Sequence, residues 1–215
     1  MNSVPEQKKA QLAGIDRVFF IEHNLVMRWP VVRGGELTSA HGLRTGEQFA
    51  QLPATAYTTA LDAEGSDSQH GVSFNQVLEG WYHGEDAEAL AQLARMHGRR
   101  YLVLLRYFNG TIAAIGDRLN GLLFTTKYSS GKKTGERKGH TWHFEAATAT
   151  AAVYLTKPFQ VEGLGTVTPG QTITPPDERT GNVIIRNRRG RVLAIARPAD
   201  IVTITSAFKV TISIQ

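Results

Sequence analysis

Apolar residues in this chain come in short runs that mostly alternate with polar ones, and Gly, Pro, Asn and Ser punctuate them. A period of two marks strands, because successive side chains point to opposite faces. Arg17–Glu22 (RVFFIE) and Val72–Leu78 (VSFNQVL) predict strands. Leu25–Val32 is broken by Trp29-Pro30 and predicts an edge strand or a strand end, since proline cannot donate to a ladder. Residues 36–71 are polar and rich in Thr, Ala, Gly and Ser, which predicts a loop-rich stretch with short strands at most. Tyr101–Tyr107, Thr111–Asp117 and Leu122–Tyr128 are separated by Asn109-Gly110 and Asn120-Gly121. Both residues of an Asn-Gly pair tolerate φ > 0, so the spacing predicts an antiparallel meander.

One stretch changes period. In Asp86–His97 (DAEALAQLARMH), Ala87, Leu90, Leu93, Ala94 and Met96-His97 approximate one apolar helical face. Acidic residues stand in its first turn and Arg95 in its last, which suits the helix dipole, and Gly98 follows as a C-terminal cap. Beyond it, Thr141–Thr150 and Ala151–Thr156 predict further strands. Pro158, Pro169, Pro175 and Pro176, set among Gly and Thr, predict a connector. Residues 182–188, 191–196 and 201–214 then alternate again as a small β unit. The fold class expected is mostly β (α+β): an antiparallel β-sandwich or barrel with one main α-helix and a small C-terminal β unit. The expected division is a domain over 1–160, a Pro/Gly linker over 161–181 and a β extension over 182–215.

Charge adds an asymmetry. Residues 1–126 hold 11 basic and 13 acidic side chains, whereas residues 127–215 hold 13 basic and 6 acidic ones. A basic half suits nucleic acid, an acidic partner or a neighbouring copy of the chain. The chain has no cysteine, which excludes disulfides, zinc–thiolate sites and thiol nucleophiles. The polar start MNSVPEQKKAQL has no apolar segment of the signal-peptide kind, and no run approaches the roughly 18 apolar residues of a membrane span, so a cytoplasmic site of synthesis and no membrane contact are expected.

Candidate chemistry is sparse. Gly131-Lys132-Lys133-Thr134 has the look of a phosphate loop, but Thr126 stands where the first glycine belongs, Lys133 where Ser or Thr belongs, and no helix pattern follows. His140 and His143, three apart on a strand, point to opposite faces and cannot readily share a metal. Glu85, Asp86 and Glu88 are explained by the helix start. Trp81, Tyr82, Trp142 and Tyr154 could stack on sugars, though core or interface packing accounts for them more simply. No catalytic residue, cofactor-binding residue or metal ligand set stands out. What does stand out is basic: Lys132, Lys133, Arg137 and Lys138 in one loop, and Arg186, Arg188, Arg189 and Arg191 on one hairpin. These read as inter-subunit contacts. The alternative is a nucleic-acid-binding module, although that hairpin carries no aromatic residue for base stacking between Asn182 and Ala207.

The stretch Tyr101–Leu155, with its short x-x-Gly hairpin, its Gly-Leu strand and the segment KYSSGKKTGERKGHTWHF, resembles bacteriophage tail proteins of the tail-tube and distal-tail type. The helix just before these strands fits the same type. The resemblance implies a tail-tube-like β-sandwich subunit that forms rings, commonly hexameric, which stack at a tail-tube, tail-terminator or distal-tail position. It implies other tail or neck proteins as partners, transient contact with packaged DNA, and a place in the virion tail after assembly in the host cytoplasm.

Overall fold

The run YLVLL carries no polar alternation, and the strand it forms is covered on both faces, as continuous apolar runs require. It belongs to a computed structural model that describes residues 14–69, 71–83, 87–130, 138–171, 183–186, 192–196 and 211–214. The chain divides into two units, residues 1–172 and 173–215.

In the first unit, β1 (Ile15–Glu22), β2 (Val26–Arg28), β3 (Val32–Arg33), β4 (Glu36–Leu37), β5 (Gly42–Leu43) and β6 (Ala50–Leu52) precede a long hairpin. That hairpin joins β7 (Ala60–Ser68) to β8 (Gly71–Tyr82). Helix α1 (Ala87–Met96) follows, then β9 (Arg100–Tyr107), β10 (Ile112–Ile115), β11 (Leu122–Ser129), β12 (Gly139–Thr148) and β13 (Val153–Leu155). A small hairpin, β14 (Phe159–Val161) and β15 (Gly165–Val167), closes the unit. The main sheet runs β3-β4-β13-β10-β9-β11-β12-β8-β7, with β1 on the other edge of β9 and β6 beyond β1. It is mixed, because β4 and β13 pair in parallel. The fold is mostly β and β-sandwich-like, with a single α-helix among the described residues.

Two layers meet on the β1–β9 pair. Val18, Phe20, Tyr101, Val103 and Leu105 face a core completed by Phe124, Phe144, Trp142 and Leu78 of the flanking strands and by Leu93 and Met96 of α1. On the opposite face Phe19 meets Phe159 edge-on at 5.5 Å, and Phe159 meets Phe49 at 5.4 Å. The helix occupies the span its pattern predicts, except that it ends at Met96, one residue before His97, and that Asp86 lies outside the described residues; Gly98 takes φ +79°, the left-handed conformation a helix terminus favours.

Three expectations change. The polar stretch 36–71 contains β7, nine residues long, because pairing with β8 overrides the weak strand propensity of ALDAEGSDS. The three strands after the helix are no simple meander. Asn109-Gly110 does turn β9 into β10, but Asn120-Gly121 delivers β11 to the lower end of β9, at Tyr101 and Arg100, beside β10 on the same edge. The expected connector over 161–181 begins inside the first unit, where Phe159, Val161 and Val167 of the β14–β15 hairpin are buried. In the second unit β16 (Val183–Arg186) lies between β17 (Val192–Ala196) and β18 (Thr211–Ile214), antiparallel to both.

Candidate assembly surfaces

The β7–β8 hairpin outruns the sheet that carries it. β12 pairs with β8 from Tyr82 back to Phe74, whereas the β7–β8 ladder continues to Ser68 and Gly71. Asp62 through Asp67 are exposed, as are Val72 and Asn75 on the returning strand. The distal part is therefore a two-stranded ribbon in contact with solvent on both faces. Phe74 lies over Gly65, where an added Cβ would stand 3.3 Å from the ring, and the Ser66 and Ser73 hydroxyls hydrogen-bond at 3.0 Å. Residues 60–69 and 71–75 hold Asp62, Glu64 and Asp67 and no Lys or Arg. β7 pairs with no other described strand, so its outer backbone groups form an open edge.

A second feature is a cavity of about 310 Å³ walled by Trp29, Val31 and Val32, with Leu37 and Val153 buried beneath. The Trp29-Pro30 interruption of the strand pattern builds it: the chain leaves β2, swings out and returns as the short β3–β4 hairpin. His23 and His41 flank the Trp29 indole at ring distances of 5.2 and 5.3 Å. Burial lowers the His41 pKa to about 4, so the ring is neutral near pH 7, and its buried Nδ1 has no hydrogen-bond partner among the described residues. The polar end of the cavity is formed by Thr150, Asp117 and Arg118.

Asp117 is spent on structure. Its Oδ1 accepts from the backbone N–H groups of Leu119 and Asn120, its Oδ2 accepts from Ala149, and its carbonyl accepts from His23 Nε2. Beside it, fully buried Gln76 accepts from the Gly116 N–H and donates to the Thr150 carbonyl, both at 3.0 Å, which ties β8 to the two turns. The arm and the cavity are thus anchored to the same rigid corner. Arg118 is different: it is exposed, and no hydrogen bond or ion pair engages its guanidinium among the described residues.

The residues singled out from sequence fall elsewhere. Lys132, Lys133 and Arg137, with Arg188, Arg189 and Arg191, lie outside the described residues. Lys138 is exposed just before β12, and Arg186 ends β16. His140 and His143 do point to opposite faces, and His143 Nδ1 sits 3.7 Å from a Glu79 carboxylate oxygen. Trp142 is fully buried and cannot stack on a ligand. The face that β7, β8 and β12 turn away from the core carries Asp62, Glu64, Glu79 and Glu145, the wrong sign for phosphates. Among the described residues no three His, Cys, Asp or Glu side chains could hold a metal ion, and no helix is long and apolar enough to cross a membrane.

No protein-family model, curated protein or solved structure matches the chain. Weight therefore rests on the site itself. Sequence reasoning found the strand that carries the arm but not the arm, whose alternation is lost among small polar residues. It read Trp29-Pro30 as a strand end, a correct signal for the interruption that gives no hint of the cavity it opens.

Proposed function

We propose that this chain is a structural subunit of a bacteriophage tail or related tube, forming rings that stack at a tail-tube, tail-terminator or distal-tail position. The observation that carries the reading is the β7–β8 arm. A two-stranded ribbon wetted on both faces is at best marginal alone, and an unpaired nine-residue edge is a standing invitation to another chain. Both features make sense where a neighbouring subunit completes them. The charge on the arm also selects the kind of contact. A two-fold pairing of β7 with its own copy would line Asp62, Glu64 and Asp67 of one chain against those of the other, which is unfavourable. A head-to-tail contact avoids this, and it makes a ring where its rotation closes. The resemblance of Tyr101–Leu155 to tail proteins points the same way.

Light scattering with negative-stain imaging over a range of concentrations tests the reading. Rings or stacked tubes are expected. Gly65 and Phe74 face each other, so an Asn-Gly turn can replace residues 66–73 and close a shortened hairpin. That variant should remain folded and monomeric. A wild-type chain that stays monomeric at every concentration, or an arm-shortened chain that assembles like wild type, would overturn the proposal.

A further inference from the structure

We infer that the Trp29 cavity of one copy receives the tip of the β7–β8 arm of the next. The inference rests on the ring-subunit reading and names its contact.

Exposed large apolar side chains are concentrated around this cavity. Val31 and Val32 line it, while Met27 and Leu119 stand within two residues of lining positions and are 70% and 80% exposed. Such a patch around a concave site marks a place where something docks. The arm offers a matching knob. Val72, 57% exposed, shares a face of the ribbon with Phe74 and stands opposite Asp67. None of the cavity's lining residues comes from the arm, so the arm does not fill its own chain's cavity.

Charge matches shape. The tip brings the Asp67 carboxylate beside Val72, and the cavity brings the unengaged Arg118 guanidinium beside its apolar wall. Seating Val72 against Trp29 and Val32 leaves Asp67 facing Arg118, and Asp117 does not compete because backbone N–H groups occupy its carboxylate. Repeated head to tail, a knob seated in the next copy's hole is a heterologous contact, which generates a ring where its rotation closes.

The chain has no cysteine, so engineered pairs report without background. Chains carrying Val72→Cys, mixed with chains carrying Val32→Cys or Val31→Cys and mildly oxidised, should give a covalent dimer. Chains carrying Gln92→Cys, on an exposed position of α1, should not. In a second measurement, Arg118→Glu should raise the concentration needed for assembly about tenfold, and Asp67→Arg in the same chain should bring it back. Wild-type assembly with no cross-link at either cavity position and no rescue by the charge swap would overturn this inference, leave the subunit reading standing and give the cavity to another occupant. A wild-type monomer at every concentration would overturn both.

Discussion

His41 shows how one residue records its surroundings. Its ring packs against the edge of Trp29, and burial there holds its pKa near 4 instead of 6.5. The unfolded chain therefore binds a proton that the folded chain refuses between those values. Stability is fully present above pH 6.5 and falls as the pH drops towards 4, by up to about 3 kcal/mol at 1.36 kcal/mol per unit. Thermal unfolding between pH 7.5 and 4.5 checks this. Wild type should lose more stability over that range than His41→Phe, which keeps an aromatic ring against Trp29 and has nothing to protonate. Equal slopes would show that His41 is not the group responsible. Sequence gave no warning of this residue, because its environment is made by two loops that meet in space. Gln76 was equally invisible: it sits in the alternating run VSFNQVL like any strand residue, and its bonds go to Gly116 and Thr150, 40 and 74 positions away. By contrast, the opposed directions of His140 and His143 follow from strand periodicity alone and needed no tertiary knowledge.

Elements were legible where local pattern and burial agree. The apolar stripe of α1, its acidic start and Gly98 are local facts, and the helix stands where they put it. β7 was missed because its stability resides in its partner, and the covering hairpin β14–β15 was missed because prolines around it mimic a linker. The register between β8 and β12 is fixed by a similarly non-local fit. Gly80 faces Trp142 across the pair, and a Cβ on Gly80 would stand 2.2 Å from the indole Cζ2. Three ring atoms lie within 2.8 Å of that point, so the strands or the indole must shift. Gly80→Ala should therefore cost about 3 kcal/mol or more in urea unfolding. Trp142→Phe in the same chain removes the colliding ring, together with an indole N–H that has no acceptor among the described residues, and should recover part of the loss. If the two changes simply add, the contact is not what sets the register.

At the scale of the whole molecule, most of the net charge belongs to the smaller unit. Residues 173–215 hold seven basic and three acidic side chains, so four of the five net positive charges belong to the second unit. The first unit has its own core, built from β1, β8, β9, β11, β12 and α1, and contains both the arm and the cavity. Its chain is tied down to the boundary: buried Arg106 bonds to the Asp16 carboxylate and donates to the Gln171 carbonyl at 2.9 Å. A chain ending at Thr172 should then unfold as cooperatively as the first unit does in the full chain, with a midpoint within a few degrees of it, since about 1 kcal/mol corresponds to roughly 2–4 °C at this size. If the contacts that build rings lie in the first unit, the same fragment should still assemble, and at nearly neutral net charge it should do so with less dependence on salt than the full chain. Calorimetry and light scattering in parallel separate the two parts of the claim. A fragment that folds but stays monomeric would move the assembly contacts to the basic β unit, and a fragment that fails to fold would show that the first core needs the second unit to be complete.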